Sequence, residues 1–344
     1  MVSFRPKELR SQQMLQSAIP ETDKKIISIL KVLSESSEPL GSITIARQLE
    51  RHGLFMSERA VRYHLRITDE RGFTRPLGAD GRMLTPRGFE ELRVALAPNQ
   101  VGFILERIEL LAFRTTFDPV KRSGQVAINT SLLDAGKQKK ALNAMKDAFK
   151  AGIGVSEFVA VAAAGEKLGD VAIPDGKVGI GTVCAATING VLLKTGIPIE
   201  TKFGGVLEIE DSKAKRFVAI IYYSGTSLDP SEQYIRASMT SVGEAARTGR
   251  GRILANFREA PAASRLVIED TVAQLREAGI GGVYLVGNAS EAVCQIAVGL
   301  NRVGIVLLGG LNPLAAAVEA GIEVESIAES GMVDFDQLIR YSDL

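Results

Sequence analysis

Ser57-Glu-Arg-Ala-Val-Arg-Tyr-His-Leu-Arg66 reads as the opening of a helix with two unlike faces. Ala60, Val61, His64, Leu65 and Thr68 fall on one side, whereas Arg59, Arg62, Tyr63 and Arg66 recur at i, i+3, i+4 and i+7 on the other. Ser57 is the expected N-cap, because its hydroxyl can accept from a free N–H of the first turn, and the helix is expected to run to about Arg71. The second stripe carries three guanidiniums and a phenol. Arginine pairs in bidentate fashion with guanine edges or clamps a phosphate, so this face suits a DNA major groove. A solvated polar face would look the same on an isolated helix, and the flanking residues discriminate.

Upstream, Thr22 to Ser36 places Ile26, Ile29, Leu30 and Leu33 on one stripe, with Thr22 or Asp23 as cap. Ser42 caps a second helix with Ile43, Ala46 and Leu49 inward, and Gly53 supplies the left-handed residue that ends it. The short turn at Leu54 to Met56 gives helix-turn-helix spacing. Downstream, Gly72 to Leu77 reads as a strand, Ala79-Asp80-Gly81-Arg82 as a turn and Met83 to Thr85 as the returning strand. Thr85 and Pro86 then open a helix carrying Phe89, Leu92, Val94 and Leu96. Three helices, a hairpin and a fourth helix make a winged helix-turn-helix over residues 1–97, with Arg75 and Arg82 on or beside the wing. His64, on the apolar side, is expected to be a packed core residue.

Charge supports the division. Of 344 residues, 41 are Lys or Arg and 40 Asp or Glu, a net +1 that rules out a uniformly basic nucleic-acid coat. The first hundred residues nevertheless carry +4 and the rest −3. An apolar fraction of 46% rules out global disorder. Cys184 and Cys294 form no spaced cluster, and His52 and His64 are the only histidines, so disulfide scaffolds and His- or Cys-based metal sites are not expected. Arg5, Lys7 and Arg10 are followed by no apolar core of a secretory signal, and the longest apolar stretch, Val303 to Val318, is broken by Gly309, Gly310, Asn312 and Pro313. A soluble, cytoplasmic protein without membrane contact is the expectation.

Beyond a linker and helix at 98–123, broken by Pro98 and Pro119, the chain repeats itself. Gly124-Gln-Val-Ala-Ile-Asn129 matches Gly251-Arg-Ile-Leu-Ala-Asn256, and Ala151-Gly-Ile-Gly154 matches Ala278-Gly-Ile-Gly281, both at an offset of 127. Lys177-Val-Gly-Ile180 matches Arg302-Val-Gly-Ile305, and Thr195-Gly-Ile-Pro-Ile-Glu200 matches Ala320-Gly-Ile-Glu-Val-Glu325, both at 125. Residues 124–344 are therefore expected to be a regulatory domain with an internal repeat, 124–211 and 251–336, each half a β-α-β-β-α-β unit whose sheet is covered by helices on one face. A strand at Arg216 to Tyr223 and a helical stretch from Pro230 to Arg247 connect them. The fold class is α+β, a winged helix followed by a duplicated α/β domain, with a ligand cleft expected where the halves meet.

Gly179-Ile-Gly-Thr-Val-Cys-Ala-Ala-Thr-Ile-Asn-Gly190 runs a buried strand into a helix whose first N–H groups favour an anion. Gly181, Thr182, Cys184, Thr187 and Asn189 are the candidate ligand residues, with Lys194 and Lys202 the nearest cations, and a small dicarboxylate is the candidate ligand. Small residues that simply let strand and helix approach are the competing explanation. Gly179-Ile-Gly181 imitates a dinucleotide fingerprint, but Cys184 stands in place of its third glycine. A Cys184 nucleophile would need a histidine, and both lie in the first domain.

With these stretches in hand, the sequence resembles the nitrogen regulatory protein repressor (NrpR) family of archaea and some bacteria. The resemblance spans nearly the whole chain, through Ser57 to Leu65, Arg114-Thr-Thr-Phe-Asp-Pro119, Gly181 to Gly190, Thr195-Gly-Ile-Pro-Ile199 and Lys202-Phe-Gly-Gly205. It implies a homodimeric or homotetrameric repressor of nitrogen-assimilation genes that binds double-stranded operator DNA and is released by 2-oxoglutarate as effector, with no resident cofactor and no catalysis. This chain shows one regulatory domain where some family members carry two. A small-metabolite enzyme and an RNA-binding regulator using the same winged helix are the alternatives; against an enzyme, the sequence offers no paired carboxylates, Ser/His dyad or metal cluster.

Overall fold

The computed structural model describes residues 21–36, 38–51, 53–89, 91–92 and 103–344, in two compact units that divide between Val101 and Gly102. The N-terminal stretch with Arg5, Lys7 and Arg10, and also His52, Val94, Leu96 and Pro98, lie outside the described residues.

In the first unit α1 (Glu21–Ser34), α2 (Ser42–Arg51) and α3 (Glu58–Glu70) precede the hairpin strands β1 (Thr74–Pro76) and β2 (Arg82–Leu84), and residues 86–89 and 91–92 are helical again. Ile29 and Leu30 of α1, Ile45 and Leu49 of α2 and Val61 and Leu65 of α3 form one core with Phe73 and Leu84 of the wing. Gly53 leaves α2 at φ 79°, as a left-handed helix end requires. Thr85 closes the unit as read from sequence, its Oγ1 accepting from the Gly88 N–H at 3.0 Å. The hairpin also gains a partner that the sequence does not announce: Leu40 bridges to Arg82 through two backbone hydrogen bonds of 3.0 Å.

The second unit starts with α4 (Ile104–Arg114), the helix read within the segment 98–123, and it belongs to this core: Ile104, Ile108 and Leu111 bury against Ala127, Cys184 and Ala186. The first half then runs β3 (Gln125–Asp134), α5 (Gln138–Lys150), β4 (Phe158–Ala162), β5 (Lys177–Val183), α6 (Ala186–Lys194) and β6 (Glu200–Glu210). The connector holds β7 (Lys213–Tyr222), α7 (Pro230–Arg236) and α8 (Val242–Thr248). The helical stretch expected there is two helices, parted near Ser238, whose backbone is left-handed at φ 52°. The second half repeats the order with β8 (Gly251–Pro261), α9 (Arg265–Glu277), β9 (Val283–Ala289), β10 (Arg302–Leu308), α10 (Asn312–Glu319) and β11 (Glu325–Asp334), and β12 (Ile339–Arg340) follows.

The halves do not close on themselves. One antiparallel sheet has the order β11-β3-β5-β4-β12 and the other β9-β10-β8-β6-β7. Each half donates its fourth strand to the other's sheet: β11 pairs with β3 (Val126 opposite Val333), and β6 pairs with β8 (Leu207 opposite Ile253). The preceding helix travels with the strand in the second half, since Leu314 and Ala317 of α10 pack on Ala141 and Met145 of α5 and on Leu133 and Ile180 of the first sheet. The repeat and the β-α-β-β-α-β order of each half are as read, and the structure adds that the halves exchange their fourth strands.

Part of the other face of each sheet is covered as well, which goes beyond the expected cover on one face. In the first sheet Leu168 and Ile173, from the connection between β4 and β5, fill the space left by the missing side chains: a Cβ on Gly179 would stand 2.4 Å from Ile173 Cδ1, and one on Gly181 3.2 Å from Leu168 Cδ2. In the second sheet Val293 and Val298 do the same over Gly304. The cores are close-packed there, so these glycines are packing positions.

Candidate nucleic-acid interface and candidate ligand pocket

Ser57 caps α3, accepting from the Ala60 N–H at 3.2 Å. With Val61, His64, Leu65 and Thr68 buried, the helix has only one way to face, and Arg59, Arg62, Tyr63 and Arg66 are exposed, Tyr63 at 55%. Arg62 is ion-paired with Glu58 and bonded to Ser42 Oγ at 3.2 Å, and Arg66 lies 3.5 Å from Glu70. These are solvent-exposed i,i+4 pairs, weak enough for a phosphate to displace. Arg59 and Arg75 are exposed and make no ion pair among the described residues.

Arg82 is placed differently from its sequence reading as a wing contact. Its Nε donates to Asp69 Oδ2 at 2.9 Å, and Asp69 Oδ1 accepts from Thr74 Oγ1 at 2.6 Å, so the guanidinium fastens the hairpin to α3. His64 is a core residue, its Nδ1 buried without a partner among the described residues, and burial holds its pKa below the usual imidazole value.

In the second unit, a small pocket of about 20 Å³ lies at the seam of the exchanged halves. The first half contributes Asn129 and Cys184, the connector Tyr223 and Asp229, and the second half Asn256, Arg258, Gly310 and Glu329. The two asparagines are the last residues of the matching repeat motifs, so the pocket sits on the internal symmetry of the duplication. A Cβ on Gly310 would meet Asn129 Nδ2 at 2.4 Å and the Val183 carbonyl at 2.6 Å, so only glycine lets the halves come this close.

Arg258 dominates the electrostatics. It is 1% exposed, its Nε donates to Asn189 Oδ1 at 3.3 Å, one terminal nitrogen donates to the Phe257 carbonyl at 3.1 Å, and the guanidinium lies 5.2 Å from the Tyr223 ring centroid. No carboxylate among the described residues forms an ion pair with it. A buried guanidinium without a direct ion pair is costly even though the nearby Glu329 carboxyl favours its charge, and an anion in the pocket would relieve part of that cost. Two acids also face the pocket. Asp229 caps α7, accepting from the Glu232 N–H at 3.0 Å, and burial pushes its pKa up to about 6. Glu329 has a left-handed backbone at φ 47°, and burial also raises its carboxyl, the nearby Asp229 adding to the effect. Burial pushes the Cys184 thiol and the Tyr223 phenol up, so both stay neutral and Cys184 is a poor nucleophile.

Of the seven residues singled out by sequence, Cys184 lines the pocket and Asn189 reaches it through Arg258. The others lie elsewhere. Gly181 makes room for Leu168, and the Thr182 hydroxyl is buried without a partner. Thr187 commits its hydroxyl to β3, donating to the Ala127 carbonyl at 3.1 Å and accepting from the Ala127 N–H at 2.9 Å. Asn312 makes the same clamp in the second half, on Leu254, 127 positions from Ala127. Lys194 is exposed, 3.3 Å from the Phe113 carbonyl, and Lys202 pairs with Glu200 at 2.6 Å and Glu259 at 3.7 Å. The cation of the pocket is Arg258, which the sequence reading missed. Its signal was a charged pair, Arg258-Glu259, in the buried stretch of a strand, with Ser131 and Leu132 at the equivalent places of the first half.

An exposed basic helix on a winged-helix frame, joined in one chain to a duplicated domain with a small charged pocket at its seam, defines a winged-helix regulator with a candidate effector site. The family model of NrpR regulatory domains NRD1 and 2 matches residues 101–340, and the chain belongs to that family. A second model, the ribonuclease R winged-helix domain, matches residues 27–92. The chain is 38% identical to the global nitrogen regulator NrpRI of Methanosarcina mazei, covering 93% of this chain and 98% of that protein. It is 30% identical to the global nitrogen regulator NrpR of Methanococcus maripaludis, covering 91% of this chain but 54% of the relative. Among solved structures, a nitrogen repressor-like protein from Methanococcus jannaschii superimposes with a TM-score of 0.58 at 29% identity, over 69% of this chain and 97% of the other. No helix among the described residues is long and apolar enough to cross a membrane.

Proposed function

We propose that this chain is a transcriptional repressor of nitrogen-assimilation genes, released from operator DNA when 2-oxoglutarate occupies the pocket at the seam of the regulatory domain. The observation that carries the ligand half is Arg258, enclosed in that pocket with no carboxylate partner among the described residues. One carboxylate of a small dicarboxylate would pair directly with the guanidinium, and the Asn129 and Asn256 amides offer polar contacts to the rest of it. Arg59, Arg62, Tyr63 and Arg66 contact bases and phosphates in the major groove, with Arg75 toward the backbone.

A homodimer or homotetramer presents paired winged helices to two half-sites, and the ligand favours an arrangement with the wrong spacing. A tenfold to hundredfold loss of operator affinity requires a coupling of only about 1.4 to 2.7 kcal/mol, and operator must weaken the ligand by the same factor. The test is a thermal-shift screen with 2-oxoglutarate, glutarate, malate and glutamate, paired with gel-shift assays on promoter duplexes of nitrogen-assimilation genes. 2-Oxoglutarate should raise the melting temperature of the wild type but not of Arg258→Met, and should release the duplex only from the wild type. A melt indifferent to every acid removes the effector half of the proposal.

The match of residues 27–92 to a ribonuclease winged helix favours one second reading, an RNA-binding module. Competition between duplex DNA and structured RNA separates the two.

A further inference from the structure

The pocket holds a contradiction for any dianion. Besides Arg258, it is faced by the carboxyls of Asp229 and Glu329, and if both were ionised an incoming dicarboxylate would meet two like charges. Asp229 is 4% exposed and fixed as the cap of α7. Glu329 is fixed by its backbone, its N–H donating to Asn129 Oδ1 at 3.1 Å and its carbonyl accepting from Arg107 at 3.4 Å. Its side chain is left over: Oε2 is shut off from solvent and has no hydrogen-bond partner among the described residues. An ionised oxygen stranded in this way is costly, whereas a protonated carboxyl is a donor waiting for an acceptor.

The charged and titratable groups around the pair come from every packed element. Arg107 on α4 and Arg258 on β8 are positive, Glu232 on α7 is negative, and Cys184 and Tyr223 are neutral. Two guanidiniums therefore stand against three carboxyls before any ligand enters.

Resting on the reading of this pocket as a dicarboxylate receptor, we propose that the Asp229–Glu329 pair carries one proton in the ligand-bound state and donates it in a hydrogen bond to a ligand carboxylate. The effector enters as a dianion together with one proton drawn from solvent. Burial, which raises both carboxyls above their ordinary range, supplies that proton near neutral pH. The pair also becomes a filter: an amino acid brings an ammonium group, which would need the acids ionised, so a keto or plain dicarboxylate is preferred to glutamate.

Isothermal titration of the full chain with 2-oxoglutarate from about pH 6 to about pH 9, in phosphate and in Tris, counts protons taken up through the difference in buffer ionisation heat. Above the titration of the free pair, the dissociation constant should rise about tenfold per pH unit, with uptake near one proton. Glu329→Gln, a neutral mimic of the protonated acid, should bind with a flat pH profile and uptake near zero. Asp229→Asn, which keeps an N-cap, tests the partner acid and should reduce the uptake. Binding of 2-oxoglutarate that is independent of pH and takes up no proton overturns this inference and leaves the functional reading standing. Tighter binding of glutamate, strengthening as pH rises, also overturns it. No binding of 2-oxoglutarate at any pH overturns both.

Discussion

In the proposed function Arg258 is the residue on which ligand recognition would turn, and its burial makes a distinctive prediction. Removing a buried charge that lacks a counter-ion, and filling its volume with an apolar side chain, is neutral or stabilising for the empty protein. Arg258→Met should therefore match or exceed the wild type in urea midpoint without ligand, while losing the shift that 2-oxoglutarate gives; a large loss of empty-state stability would mean the guanidinium is structural. His64 gives the opposite kind of test. Its folded pKa is lowered, so the unfolded chain takes up the proton first, and stability is lost as pH falls below the ordinary histidine value near 6.5. Protection factors at the α3 amides, taken relative to the intrinsic exchange rate at each pH, should fall between about pH 7 and about pH 5 in the wild type, and less so in His64→Leu. At this scale the sequence was readable where periodicity alone sets the side, as for His64 and Arg59. It was not readable where pairing decides, because nothing local told that Lys202 would be taken by Glu200 and Glu259.

Helix α3 and the wing separate residues that bind from residues that brace. Arg59→Ala and Arg66→Ala should each lower the slope of log affinity against log salt by about 1 if they meet phosphates. Arg82→Ala should leave that slope alone and lower stability by about 1–2 kcal/mol, since it releases Asp69 from a charge-assisted hydrogen bond of 2.9 Å. Denaturation and salt titration of the same three variants give both readings. The elements themselves were legible: caps at Ser57 and Thr85 and the left-handed Gly53 lie where the sequence put them. The Gly179-Ile-Gly181 segment was not. Its glycines look like an anion turn, but they lie on a strand and make space for Ile173 and Leu168, side chains folded back from a connection whose course no local pattern encodes.

The whole regulatory domain was legible as a duplication and illegible as an exchange, because β3 and β8 are equally good neighbours for either fourth strand: both are apolar, antiparallel and of matching length. What selects the exchange is the seam, where Thr187 and Asn312 clamp Ala127 and Leu254 and Gly310 admits Asn129. A chain built in this way cannot be divided at its repeat. A fragment of residues 103–249 would leave β3 without β11 and β6 without β8, exposing the edges of two sheets and the apolar faces beneath them. Each fragment alone, 103–249 or 250–344, should therefore be unfolded or aggregated. The two expressed together should assemble, since every broken pairing is restored between chains and only the link at Gly249 is lost. Because the pocket takes residues from both fragments, 2-oxoglutarate should tighten their association, by about 2.7 kcal/mol at a hundred times its dissociation constant. Folding of either fragment alone into a closed sheet, measured by dispersed amide resonances and a cooperative melt, would show that the halves are independent and that the pocket is not held together by the exchange.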